Sequence, residues 1–333
     1  MKFGAMKMAG GGLISVLRKP QKFGLSALLV ALAAVSCATA DAQIMYKYRG
    51  DNGEWIFADR PPDDGQIVET RAMRQRVSRA QVTVTHSMVG SEIELIAHNG
   101  FHAPMELALT FDAITGVEFP HPDNSLRWVL PPQSDVLLLG LAVLGTAAVP
   151  HVEYHFDYLP GDPVARHRPD GAYRVPFSAG SNFAVTQAYP VAATHRTLDS
   201  YYALDVAMPV GTDVVAARGG IVFDVASNNF RGGLDLRRDG RSANIVRVLH
   251  DDGTFAIYAH LNWNSIRVRT GDRVQVGDYI ADSGNTGFSS GPHLHFDVQR
   301  NAGMSLESLP VVFRGPNSGG IVPATGDILT AYR

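Results

Sequence analysis

The sequence predicts an all-β chain in which a small β-sandwich precedes a C-terminal antiparallel sheet folded over on itself. Three observations carry this. Apolar residues alternate at period two between about residues 80 and 160, Gly punctuates short strand-like runs from about 177 onward, and helical periodicity is nearly absent. The 33 Gly and 19 Pro among 333 residues supply the turns that many short strands need. Hydrophobic residues at 45% and charged residues at 18% allow a buried core and argue against wholesale disorder. A formal net charge of -3 leaves no basic footprint, so nucleic acid is not expected as a partner.

Residues 1–42 read as a signal peptide. Lys19 and Lys22 precede the apolar run Leu25 to Val35, and small residues at 38–42 offer a cleavage site. Export, to the periplasm, is therefore expected. The run is short for an uncleaved membrane anchor. Cys37 follows Ala34-Val35-Ser36, a faint lipobox, so a lipid anchor is the weaker reading. Cys37 is the sole cysteine, which excludes disulfides within the chain and cysteine-based zinc sites.

Residues 43–79 are expected to hold a two-stranded hairpin turning at Asp51-Asn52-Gly53, then a polar linker. The Lys-Tyr, Asn-Gly, Phe-Ala-Asp and Pro pattern of residues 44–62 resembles a short module found after the leader of many secreted proteobacterial proteins. An accessory sandwich follows over 80–165. Val82, Val84 and His86, then Ile93, Leu95 and Ala97, then Leu107, Leu109 and Phe111 mark its strands. The run Val136 to Val149 is too short to cross a bilayer and suits a buried strand with a turn. His151 and His155 alternate with Val152 and Tyr154 as in a strand, so they are not expected to bind metal.

A second domain is expected over 170–315, followed by a C-terminal tail, 316–333. Its strands are anticipated at 203–206, 214–217, 220–226, 244–250, 254–260, 273–277 and 293–299. Asp252-Gly253 marks a tight hairpin, with His250 beside it in solvent.

The sharpest chemical feature is His293-Leu294-His295. Residues two apart on a strand share a face, so both imidazoles point into one cleft. The Gly-rich run Gly284 to Pro292 just ahead lets backbone approach a ligand closely. His260 ends a strand, where sites are usually built, and Asp205 is a carboxylate among apolar residues, costly unless paired or bound to a cation.

These blocks resemble one family. Leu204-Asp205, then Pro209-x-Gly211-Thr212-x-Val214, then Tyr258-Ala259-His260-Leu261, then Gly284-Asn285-Thr286-Gly287 and His293-Leu294-His295-Phe296 are similar to the lysostaphin-type zinc endopeptidases, over roughly residues 177 to 310. The upstream sandwich resembles a Gram-negative subgroup carrying such an accessory domain. The resemblance implies a zinc metalloendopeptidase that hydrolyses peptide cross-links of bacterial peptidoglycan by zinc-activated water, with one Zn2+ per chain. It implies Asp205 and His295 as ligands and His260 and His293 as catalytic imidazoles, without saying which imidazole does which. The usual ligand His four residues before the Asp is replaced here by Tyr201, a poor zinc ligand at neutral pH. His195, ten residues before Asp205, is expected to take its place, with Tyr201 on the strand face of Asp205, near the metal without binding it and donating to substrate. Asn244 either orients substrate or closes a turn. Peptidoglycan stem peptides are the expected partner, with a cell-wall regulatory protein as a further candidate.

Two other readings compete. A non-catalytic wall-binding adaptor that activates other hydrolases is disfavoured because Asp205, His260, His293 and His295 are all present. A biotinyl- or lipoyl-type carrier is suggested by Thr270-Gly271-Asp272-x-Val274-x-x-Gly277-Asp278, but no lysine stands at the hairpin tip.

Overall fold

The computed structural model describes residues 8–11, 44–49, 55–58, 69–72, 80–145 and 149–332. The apolar leader run, Cys37, the cleavage region and the hairpin turn at 51–53 lie outside the described residues. Among the described residues, no helix is long and apolar enough to cross a membrane.

The chain divides into two compact units, one of them spanning residues 11–77. In that unit Ile44–Arg49 pairs with Trp55–Ala58 on one side and Glu69–Ala72 on the other. The hairpin expected here thus has a third strand, taken from the stretch read as a polar linker. Lys47, opposite Glu69, places its Nζ 3.4 Å from the carboxylate. Polar side chains do not disqualify an edge strand whose backbone finds a free ladder.

The other unit includes residues 78–333. Its first part is a sandwich of antiparallel strands β1 (Val82–Val89), β2 (Glu92–Asn99), β3 (Met105–Thr115), β4 (Ser125–Leu130), β5 (Ser134–Ala142) and β6 (His151–Pro160). One sheet runs β1-β2-β5 and the other β6-β3-β4, with the short strand Met8–Gly11 at the β6 edge. Ile93, Leu95, Ala97, Leu107, Leu109 and Phe111 face inward and are buried, as period-two alternation requires. His155 lies on β6 and contacts Asp112 across the pair at 2.9 Å.

The second part comprises β7 (Asn182–Gln187), β8 (Leu204–Ala207), β9 (Asp213–Val215), β10 (Gly220–Ala226), β11 (Ile245–Leu249), β12 (Phe255–Ala259), β13 (Arg273–Val274), β14 (Tyr279–Asp282), β15 (His293–Asn301), β16 (Leu306–Ser308) and β17 (Ile328–Thr330). The main antiparallel sheet has the order β13-β10-β11-β12-β15-β8-β7-β17, with β16 beside β15. The β9–β14 pair folds over it. Between them, Val206, Tyr258, Leu294 and Phe296 of the main sheet share a core with Val214, Ala216 and Ile280.

Two boundaries differ from the sequence reading. The presumed tail contributes β17, whose Leu329 is buried against β7, so the domain extends beyond 315. The sandwich and the second domain are also not separate cores. Phe223, Ile245, Phe255, Ile257 and Leu306, on the other face of the main sheet, join the same apolar cluster as the sandwich residues. Glu106 accepts from the Met304 amide at 2.6 Å, and Asn301 donates to Gly161 O at 3.1 Å, which locks the junction.

Candidate metal centre

Strand register builds the site. His295 stands opposite Asp205 and His293 opposite Ala207, so both imidazoles and the carboxylate share one sheet face while Leu294 points into the core. On the other side His295 pairs with Ala259, and the chain turns at His260 with φ 61, a left-handed conformation uncommon outside Gly. That turn swings His260 back toward the pair: its ring centroid lies 4.4 Å from His293 and 6.0 Å from His295.

His195, Asp205 and His295 each offer one ligand atom, all within 4.8 Å of one another. His195 Nε2 lies 3.3 Å from Asp205 Oδ2, and His295 Nδ1 lies 2.9 Å from Oδ1. Ligand atoms around a tetrahedral zinc with ~2.1 Å bonds stand roughly 3.4 Å apart, and two imidazole nitrogens with one carboxylate are a donor set that suits zinc. His195 Nδ1 donates to Ala203 O at 3.1 Å, which fixes the tautomer that leaves Nε2 free as a ligand. His195 therefore stands beside Asp205 and His295 in one cluster that could hold a metal ion.

The carboxylate and the imidazoles around it shift one another's protonation. Burial opposes charge on Asp205, but hydrogen bonds from His195 and His295 outweigh it and hold the carboxyl well below its usual range. Burial also disfavours charged His195, yet the Asp205 hydrogen bond prevails and raises that imidazole. Burial wins at His295, which is lowered despite Asp205.

The remaining two imidazoles are aimed by backbone. His260 Nδ1 donates to Thr286 O at 2.7 Å, and His293 Nδ1 donates to Gly291 O at 2.8 Å with Ser289 Oγ at 3.1 Å. Both acceptors belong to the Gly-rich loop. Gly287 within it has φ +83, and a Cβ there would meet Ala243 at 2.7 Å, so the loop depends on glycine. Each Nε2 is left as an acceptor. Burial, reinforced by His293 and His295, pushes His260 down to about 3 and keeps it neutral.

Residues 199–306 match the family model of peptidase family M23. The chain carries a peptidase family M23 domain. It is 35% identical over 104 residues to the glycyl-glycine endopeptidase ALE-1 of Staphylococcus capitis, covering 31% of this chain and 25% of that protein. It is 30% identical over 133 residues to the peptidoglycan DD-endopeptidase ShyA of Vibrio cholerae, covering 40% and 26% respectively. Among solved structures, the catalytic domain of the prophage-encoded M23 protein EnpA from Enterococcus faecalis is 27% identical, covering 44% of this chain and 92% of that one with a TM-score of 0.29. The chain spans about a quarter of the length of these curated relatives.

The structure also places two further residues named from the sequence. Asn244 is fully buried: Oδ1 accepts from the Asn229 amide and Nδ2 donates to Asn229 O and Leu261 O. It ties loops together and has no face left for substrate. Tyr201 does not share a strand face with Asp205, because β8 begins only at Leu204. It sits in the preceding turn, 44% exposed, with its ring 5.1 Å from Tyr189 and 5.3 Å from Tyr202.

Three residues of the M23 domain's surroundings escaped sequence reasoning. Gln187 donates to Asp205 Oδ2 at 2.6 Å while its Oε1 accepts from the amides of Ala193 and Thr194. Buried Asp297, two residues past His295 on the same face, accepts from Ser308 Oγ at 2.6 Å and Gln299 Nε2 at 2.8 Å. Ser308 in turn binds the Tyr202 amide, and its own amide binds Leu198 O. The chain between His195 and Asp205 is thereby pinned to β15 and β16. A polar residue two beyond a candidate ligand His on the same strand face was the one available signal.

Proposed function

We propose that this protein is an exported zinc metalloendopeptidase that hydrolyses peptide cross-links of bacterial peptidoglycan. The observation that carries the reading is the convergence of His195, Asp205 and His295 on one point, with the Nε2 atoms of His260 and His293 free beside it. Export to the periplasm rests on the signal-peptide pattern of residues 1–42.

Zinc held by His195, Asp205 and His295 supplies Lewis-acid polarisation of the scissile carbonyl and of the attacking water. The chain divides the remaining work. His293, more exposed than His260, takes the proton of the attacking water at Nε2. His260 stays neutral in its buried position and orients reacting groups through its Nε2 lone pair. The Tyr201 hydroxyl has no hydrogen-bond partner among the described residues and is free to meet substrate at the rim.

The decisive experiment digests purified sacculi with zinc-loaded protein and weighs the soluble fragments. Cleaved cross-bridge peptides are expected, lost on chelation and restored by zinc. Release of free disaccharides or of intact stem peptides as primary product would contradict the reading. No release, together with activation of a second added hydrolase, would support the adaptor instead.

A further inference from the structure

The region that resembled a carrier-domain hairpin walls a cavity of about 750 Å³. The cavity lies at the far end of the main sheet from the metal centre. Ala259 pairs with both His295 and Ile245, while the cavity is lined by Leu249, four residues further along β11. That is roughly 13 Å along the strand and, across two strand spacings, a further ~10 Å.

Three guanidiniums line it, but they are not equivalent. Arg218 is committed: it binds Asp251 at 2.5 Å, Asp252 at 2.7 Å and the Tyr173 hydroxyl at 3.2 Å. Arg273 and Arg314 are exposed, and their guanidiniums have no hydrogen-bond or ion-pair partner among the described residues. Two cationic forks left unpaired in one concavity suit a carboxylate or phosphate oxygen pair. The wall also contains His250, which the sequence placed in solvent but which is only 3% exposed. Its Nδ1 donates to Gly219 O at 2.8 Å, leaving Nε2 a buried acceptor with no partner. Asp170 and Asp251 at the same cavity disfavour a polyanion and leave room for a monoanionic group.

We propose that this cavity is a second, non-catalytic site for a carboxylate-bearing peptide, with Arg273 and Arg314 holding the carboxylate. This rests on the wall-hydrolase reading, which identifies the peptide as an uncross-linked stem peptide of the polymer being cut. Bound there, it anchors one strand of the wall while a neighbouring cross-bridge occupies the metal centre.

The test is calorimetric titration of full-length, zinc-loaded protein with the stem tripeptide L-Ala–γ-D-Glu–diaminopimelate, its fully amidated form, and inorganic phosphate. The double variant Arg273→Gln/Arg314→Gln is compared with wild type. Both arginines are exposed, so folding should survive, and an unchanged melting curve checks this. The acid tripeptide is expected to bind wild type at least tenfold more tightly than the double variant, and the amide to bind neither well. Equal affinity of the double variant for the acid peptide, equal binding of the amide, or phosphate binding as tight as the peptide would each overturn the proposal. Cleavage of a short soluble cross-linked peptide should proceed at the wild-type rate in the double variant. Arginine-dependent binding without any sacculus cleavage would instead overturn the catalytic reading and leave the pocket assigned.

Discussion

Gln187→Met is the sharpest test of how the metal centre is assembled. Gln187 lies opposite Asp205 in the β7–β8 pair, donates to Oδ2 at 2.6 Å, and accepts from the Ala193 and Thr194 amides at 2.8 and 2.9 Å. One side chain thus aims the proposed ligand carboxylate and anchors the chain leading to His195. Methionine keeps the volume and removes every one of these hydrogen bonds. Loss of an outer partner of a metal ligand typically weakens metal affinity by about 10–100-fold, which is about 1.4–2.7 kcal/mol at 1.4 kcal/mol per decade. Folding should change by less. Ala193 and Thr194 are exposed, so water takes over their amides, and a typical hydrogen bond contributes only about 1 kcal/mol. The assay is competition for zinc against a chromophoric chelator, paired with thermal melting of the metal-free protein. A zinc dissociation constant within twofold of wild type would refute the role given to Gln187.

Three further outcomes are expected. Asp205→Ala, His295→Ala and His195→Ala should each lose zinc by elemental analysis, whereas His293→Ala and Tyr201→Phe should retain it. His293→Ala should lose turnover by about 10²–10⁴-fold, the usual contribution of a positioned acid–base group, and equal zinc loss in all variants would sink the division of roles. Zinc affinity should weaken as pH falls through the range where His195 protonates, because Asp205 raises that imidazole and the proton competes with the metal for Nε2; a pH-independent zinc dissociation constant between pH 5 and 8 would contradict this. His250 should make the fold acid-sensitive. Burial lowers it to about 4, so between its ordinary pKa near 6.5 and about 4 the unfolded chain binds the extra proton. Stability should therefore fall with pH across that window, by about 3 kcal/mol at 1.36 kcal/mol per unit, and denaturant titrations of His250→Leu should show a shallower pH slope than wild type.

What could be read from the sequence followed from local periodicity. A strand repeats every two residues, so His293-Leu294-His295 could only put both imidazoles on one face, and Leu294 is indeed in the core. A carboxylate between apolar neighbours had to be paired or ligating, and Asp205 is both buried and met by two imidazoles. The sandwich strands were legible for the same reason as the histidine pair. What the tertiary structure decided were contacts between residues with no local relation. Gln187 meets Asp205 because β7 is laid antiparallel to β8, a pairing that no spacing announces. Asn244 looked available and is consumed by loops at Asn229 and Leu261. His250, beside a hairpin turn, is buried because Tyr173 packs against it at 5.9 Å from a distant segment. The stretch taken for a tail became β17 because β7 had an unpaired edge, and the two expected domains share one core because the main sheet is apolar on both faces. Burial of a second face depends on what else the chain brings to it, and that is settled only when the whole fold closes.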